Sequence, residues 1–308
     1  MSADMARILM YHNFSRSGNT PADAVDADVA RSQLEYLRHY FHVIPLSQLV
    51  EQLRSGAPLK KNSVVLTIDD GRRNCYEFFF PLLREFGMPA TFFVVSSFIR
   101  GEDWVWTDKV LWLAEQPGVP DELHPSRIGE FFETLNRLSP EIRNAEIDSV
   151  ARVMNISIPK QPPPKYEPCS WSDLREMADS GLVEIGSHTV THAILSSLTD
   201  QESWHELTVS RAQIEESMGR KITSFCFPNG KARDYRPAQL RQVIDAGYTG
   251  AVVTGFGMVR SGADSYELPR IGISGRCDPL AFSKYLDGAE HFQEIVMKSW
   301  VGDKAKSV

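Results

Sequence analysis

The 308-residue sequence has only four cysteines, Cys75, Cys169, Cys226 and Cys277, and no two of them form a CxxC pair. Scattered single cysteines exclude a disulfide-stapled scaffold and a cysteine-rich zinc cage, and they read as reduced thiols. Long hydrophobic runs are missing as well. No stretch approaches the roughly 18 apolar residues that a membrane span needs. The opening MSADMARILMYHNF places Asp4 where a secretory leader carries positive charge, and its apolar run at 8–11 is too short for a leader core. These absences set the expectation of a cytoplasmic protein without a membrane span. There is no basic block either: 33 Lys+Arg stand against 40 Asp+Glu, a net charge of −7. That balance argues against a surface built for nucleic acid or anionic lipid. Internal repeats are absent, and the Pro-rich loop at 161–164 is the one biased segment.

What is present is an ordinary globular balance, 42% hydrophobic and 24% charged residues. The length suits two domains, or one α/β barrel of about 250 residues with an insertion. Short β-rich runs at 8–11, 63–68, 90–95, 182–185, 224–227, 250–253 and 268–273 alternate with helical patterns near 28–41, 47–53, 74–86, 171–180, 237–246 and from Thr199. Thr199 with Glu202 three residues on reads as a capping box. Residues 101–168 interrupt the rhythm with helical segments at about 108–115, 127–138 and 140–154, which reads as an insertion between a strand and its next helix. Two further helices are expected from about 278. Strands alternating with helices imply parallel strands and βαβ crossovers, hence a barrel or a doubly wound sheet. In such folds chemistry lies at the C-terminal ends of the strands.

The strand ending at Ile68 delivers Asp69, Asp70 and Gly71. An Asp-Gly turn accounts for them equally well; the functional alternative is two carboxylates, one holding a metal and one free as a base. The strand ending at Ile185 delivers His188 and His192, whose i, i+4 spacing puts both imidazoles on one side of a helical turn. With 8 histidines in 308 positions, roughly 0.2 such pairs arise by chance, so the pair alone is only suggestive. Two histidines and one carboxylate make a three-ligand site with open positions, as in hydrolytic zinc. The strand ending at Phe227 delivers Pro228, Asn229 and Gly230, either a plain turn or a tight loop that offers a backbone N–H to an oxyanion. The first strand ends in Tyr11 and His12, and a lone histidine there is more often structural.

Together these segments resemble the polysaccharide deacetylases of carbohydrate esterase family four, the group with the NodB homology domain. Thr67-Ile68-Asp69-Asp70-Gly71 is similar to the family motif Thr-Phe-Asp-Asp-Gly. The stretch Ser187-His188-Thr189-Val190-Thr191-His192 is similar to the His-(Ser/Thr)-x-x-(x)-His motif in its long form, and Phe225-Cys226-Phe227-Pro228-Asn229-Gly230 to Phe-x-Tyr-Pro-x-Gly. The late Leu-x-His motif of ordinary members is missing, since His291 lies in a helical, Glu-flanked stretch. The opening Ile8-Leu9-Met10-Tyr11-His12 resembles instead the circularly permuted branch that includes the poly-N-acetylglucosamine deacetylases, where the acid histidine comes from the first strand. Leu268-Pro269-Arg270-Ile271 resembles that branch's late Arg segment. Arg72 departs from the Tyr that many relatives carry after the glycine.

The resemblance implies a distorted (β/α) barrel and a single catalytic unit over 1–308. It implies Asp70, His188 and His192 as ligands of a divalent metal, Zn²⁺ first and Co²⁺ or Ni²⁺ next. It further implies Asp69 as base, His12 as acid, and Asn229, Pro228, Phe227, Tyr11, Arg270 and Gly71 as oxyanion or substrate contacts, with Arg270 orienting the base. The expected activity is removal of N-acetyl groups from an N-acetylated sugar or saccharide. A metal-dependent amidase on a non-sugar C–N bond and an inactive saccharide-binding homologue are the alternatives. Trp104, Trp106 and Trp112 of the insertion stack on sugar if they face the site, but tryptophans at helical spacing more often belong to a core.

Overall fold

The computed structural model describes residues 5–16, 24–273, 275 and 279–286. Seven parallel strands form its centre: β1 (Met5–Tyr11), β2 (Ser63–Ile68), β3 (Ala90–Val94), β4 (Val183–Ser187), β5 (Ser224–Cys226), β6 (Gly250–Thr254) and β7 (Leu268–Gly272). They pair in chain order, and β1 pairs with both β2 and β7, so the sheet closes into a barrel. Closure is uneven. β1 and β2 match over six residue pairs, from Ala6↔Ser63 to Tyr11↔Ile68. β1 meets β7 only at Leu9 and Met10, and β4 meets β5 only at Ser187↔Phe225. Lower on β1, the short antiparallel strand Val259–Arg260 takes over the pairing at Met5 and Ala6.

Strand alternation sorts side chains onto two surfaces. Ile8, Val65, Phe93, Cys226, Val252 and Leu268 pack in one cluster, which is the barrel interior. Leu9, Leu66, Phe92, Phe225 and Ile271 belong to a second, larger cluster between the strands and the surrounding helices. The helix Leu46–Ser55 packs Leu46, Leu49 and Val50 into the interior set and closes the N-terminal end. Continuing the interior rows upward by steps of two leads from Ile8 to Met10 and His12, from Val65 to Thr67 and Asp69, and from Leu268 to Arg270. The barrel's own period therefore carries these polar residues to its open mouth. Gly186 permits the β3–β4 packing there, because a Cβ would stand 2.5 Å from the Phe93 ring.

The expected strands and helices agree with the observed ones to within a few residues. Thr199 caps the helix Asp200–Met218 in a reciprocal box with Glu202. The insertion lies between β3 and the helix Trp171–Asp179 and carries helices Trp106–Ala114, Ile128–Leu135 and Pro140–Val153 around a small core of its own. Of the two C-terminal helices expected, Pro279–Leu286 is observed; the remainder of that stretch, with His291, lies outside the described residues. Short strands at Asn13–Ser15, Ala24–Asp26 and His42–Val43 were not expected, being too brief to leave a pattern. Among the described residues no helix is long and apolar enough to cross a membrane.

Candidate active site

The mouth of the barrel opens into a cavity of about 430 Å³. His12, Asp69, Asp70, His188, His192 and Arg270 line it from the strand ends, and Trp106, Leu111 and Phe132 from the insertion. These residues come from sequence positions more than 250 apart, so one site draws on both ends of the chain.

Asp69 points inward and is met by Arg270, whose Nη1 and Nη2 donate to Oδ1 and Oδ2, each at 2.7 Å. The guanidinium also donates to Thr67 Oγ1 at 3.1 Å, which fixes its plane. Burial opposes the Asp69 charge, but the Arg270 charge and its hydrogen bonds outweigh it and hold the carboxyl below the usual range. His12 Nε2 lies 3.7 Å from Asp69 Oδ2, beyond hydrogen-bond distance, with 40% of its side chain exposed to the cavity.

Asp70 leaves the strand alternation through a positive φ of 73°, and Gly71 follows at 86°. At Gly71 a Cβ would stand 2.9 Å from Ile99 Cδ1, so the turn requires glycine on both counts. The turn brings Asp70 Oδ1 within 3.6 Å of His188 Nε2 and 3.5 Å of His192 Nε2. The other oxygen, Oδ2, is 2.7 Å from Arg72 Nη1. Burial disfavours the Asp70 charge, but Arg72 and the neighbouring imidazoles hold it well below the ordinary carboxylate range.

The two histidines do not sit on a helical turn, as their spacing led us to expect. Residues 188–194 form an irregular loop, with Thr189 and His192 at φ 69° and 56°, and the helix starts only at Asp200. Three anchors explain the shape. The buried Glu206 accepts from Val190 N, Thr191 N and Thr191 Oγ1 at 2.7, 3.0 and 2.7 Å. The backbone of Ser96 and Ser97 donates to the Thr189 and Val190 carbonyls. Trp106 Nε1 donates to the His192 carbonyl at 3.0 Å.

One ligand atom from each of Asp70, His188 and His192 lies within 4.8 Å of the others. His188 Nδ1 is 2.8 Å from the Cys226 carbonyl, which makes it the N–H and leaves the Nε2 lone pair facing Asp70. Burial lowers the pKa of His188 and pushes that of His192 down to about 3. Two neutral imidazoles and one ionised carboxylate are the protonation states that a divalent cation requires, so the triad fits one. A second grouping, Asp69, His188 and Cys226, is also compact. It is the poorer cation site, because burial keeps Cys226 a neutral thiol and Arg270 occupies both oxygens of Asp69.

Of the expected substrate and oxyanion contacts, Asn229 and Arg270 line the cavity. Tyr11, Phe227, Pro228 and Gly71 are buried and are not among its lining residues. Tyr11 packs against Phe14 and Phe79, with its hydroxyl 3.1 Å from Gln33 Oε1. Phe227 stacks on Tyr235. Both side chains alternate outward from the barrel, so their positions beside His12 and Asn229 in sequence do not bring them to the mouth. Trp104 and Trp106 are buried as core residues, Trp112 is partly buried, and only Trp106 also reaches the cavity. Sequence reasoning missed Asp108, Glu206 and Asn13. Asp108 and Glu206 act through partners in other elements, and Asn13 lines the cavity from the short strand Asn13–Ser15, which is too brief to leave a pattern.

Fold and site together define a (β/α) barrel of the NodB homology type. A model of the polysaccharide deacetylase family matches residues 56–251, and the chain belongs to that family. The Bacillus subtilis protein YxkH is 22% identical over 280 residues, 91% of this chain and 75% of its own length. The Escherichia coli poly-beta-1,6-N-acetyl-D-glucosamine N-deacetylase is 29% identical over 167 residues, which is 54% of this chain and 18% of that protein. Among solved structures, the Streptococcus pyogenes deacetylase PplD superposes with a TM-score of 0.64 at 16% identity, covering 92% of this chain and 99% of that one. IcaB from Ammonifex degensii gives 0.62 at 19% identity, covering 94% and 98%.

Proposed function

We propose that the protein is a metal-dependent N-deacetylase that removes acetyl groups from N-acetylated amino sugars of a saccharide. The observation that carries this reading is the single cavity in which a cation-ready triad, an arginine-bound aspartate and a histidine converge. Membership of the deacetylase family supports the reaction class, and the printed activity of the Escherichia coli relative supports an N-acetylglucosamine substrate.

In this reading Asp70, His188 and His192 hold the ion, with Zn²⁺ favoured by the donor set and Co²⁺ or Ni²⁺ compatible with it. An ion held there would supply Lewis acidity to the acetamide carbonyl and to the attacking water. Asp69 accepts a proton from that water as the new C–O bond forms. Since Arg270 keeps Asp69 weakly basic, the aspartate is an oriented acceptor and the acidity of the water must come from elsewhere. The backbone N–H of Asn229, in the left-handed turn at φ 58°, donates to the developing oxyanion. An amine anion is a very poor leaving group, so His12 protonates the nitrogen as the C–N bond breaks, giving acetate and a free amine.

The cavity has room for an N-acetylated sugar ring, and its apolar wall of Trp106, Leu111 and Phe132 suits a pyranose face. The test is acetate release from N-acetylglucosamine oligomers, with chelator and with Zn²⁺ restored. We expect release that the chelator abolishes and Zn²⁺ recovers; release indifferent to chelator, or none from any N-acetylated saccharide, would overturn the reading.

A further inference from the structure

The residue after the Asp-Asp-Gly turn, Arg72, is almost fully buried and bridges two carboxylates. Its Nη1 lies 2.7 Å from Asp70 Oδ2. Its Nε and Nη2 grip Asp108, at 3.0 Å to Oδ2 and 2.5 Å to Oδ1. Asp108 is fully buried in the first turn of the insertion helix Trp106–Ala114. The backbone of Arg72 is fixed too, since it bridges to Pro168 and its carbonyl accepts from Cys75 N at 3.1 Å. A guanidinium held at both ends in this way has little freedom to yield.

The consequence lies in how Asp70 divides its oxygens. Oδ1 faces the two imidazoles, while Oδ2 is taken by Arg72. A carboxylate can bind a cation through one oxygen or through both, and the second oxygen fills a coordination position that a reacting group needs. A fixed positive charge beside the ligand also weakens cation binding through simple repulsion. Both effects have the same sign.

We propose that Arg72, braced by Asp108 of the insertion, is a positioning residue that confines Asp70 to one-oxygen coordination. It keeps a position on the ion open at the expense of ion affinity. The insertion thereby takes part in the site: Asp108 acts on Asp70 through Arg72, and Trp106 on His192 through its carbonyl. This inference rests on the reading of Asp70, His188 and His192 as the cation ligands.

The test uses Zn²⁺ as probe on the full chain, by competition with a chromophoric chelator and by crystallography of the loaded protein. Two double variants remove the buried pair together, so that no lone charge is left: R72Q/D108N and R72M/D108L. We expect Zn²⁺ to bind about tenfold or more tightly in both, because the second Asp70 oxygen is freed and the positive charge beside it is gone. We also expect one Asp70 oxygen on Zn²⁺ in the wild type and two in the variants. Equal or weaker Zn²⁺ binding by a folded variant, or a single Asp70 oxygen in both proteins, would overturn the proposal. So would a wild-type structure in which Asp70 binds through both oxygens, which settles the matter even if neither variant folds. Wild-type protein that binds Zn²⁺ in the expected way but releases no acetate would count against the deacetylase reading and leave this one standing.

Discussion

Arg270 clasps Asp69 with both terminal nitrogens, Nη1 to Oδ1 and Nη2 to Oδ2, each at 2.7 Å inside the barrel mouth. The pair is almost fully buried, so its two charges depend on one another.

Arg270→Met leaves a buried carboxylate without its cation, a change that typically costs about 3–5 kcal/mol. We expect a loss of that order in urea denaturation, together with loss of acetate release. A loss below about 1 kcal/mol would show that the pair is not holding the charge. In the wild type, Asp69 and Asp70 both lie below their ordinary 3.8 when folded. Their contribution to stability is therefore present above about pH 4 and lost as pH falls through the folded values.

The two adjacent aspartates should separate by phenotype. Asp69→Asn keeps the donor triad intact, so Zn²⁺ binding is retained while turnover falls by about 10²–10⁴-fold. Asp70→Asn removes the one charged donor, so Zn²⁺ affinity itself falls. Chelator competition and acetate release on the same preparations check both. An Asp69→Asn protein that cannot hold Zn²⁺ would reverse this assignment.

The role given to His12 makes its loss substrate-dependent. His12→Ala should slow hydrolysis of an N-acetylglucosamine oligomer by about 10²–10⁴-fold. It should leave hydrolysis of an activated aryl acetate nearly unchanged, because that leaving group departs without a proton. Equal losses on both substrates would mean that His12 positions the substrate instead of protonating it.

Glu206 accepts three hydrogen bonds from Val190 and Thr191, two of the three residues between the histidines. Glu206→Gln removes the charge that the Val190 and Thr191 N–H groups face at Oε2, and it places an amide nitrogen opposite the Thr191 hydroxyl, which must turn to accept. We expect Zn²⁺ affinity to fall by about 10–100-fold, measured by chelator competition, with the far-ultraviolet circular dichroism unchanged.

Without a cation, the protein should be acid-sensitive above the carboxylate range. His192 is held neutral by burial, its pKa pushed from 6.5 down to about 3, and that of His188 is lowered as well. An unfolded chain takes up these protons near 6.5 and the folded chain does not. Stability is therefore full above about pH 6.5 and declines as pH falls toward 3. Denaturation midpoints of chelated protein between pH 8 and 4 check this; a flat profile would mean that the imidazoles titrate freely in the fold.

Much of this site could be read along the chain. Each barrel strand is a short apolar run that ends in polar residues, and period-two alternation carries His12, Asp69 and Arg270 to the mouth without any knowledge of contacts. The Asp-Asp-Gly turn was readable because only glycine accepts the crowding and positive φ at Gly71. The His188–His192 segment is a loop and not the helical turn its i, i+4 spacing suggests, because that spacing carries no record of Glu206, which lies in another element and shapes the loop through hydrogen bonds. The side chains of Tyr11 and Phe227 face away from the mouth for a related reason: adjacency in sequence places neighbours on opposite faces of a strand.

The sequence by itself determined the alternation of strands and helices, the residue types at the strand ends, and the turn that redirects Asp70. Those are local properties, set by periodicity, backbone φ and side-chain chemistry within a few residues. Tertiary structure alone decided which of these residues meet. It closed β1 onto β7, bringing Asp69 and Arg270 together across 201 positions. It also folded the insertion back so that Asp108 reaches Arg72 and Trp106 reaches His192. Such pairings arise when the whole barrel closes and buries its charges together, because only there does an unpaired carboxylate or guanidinium become costly enough to select its partner.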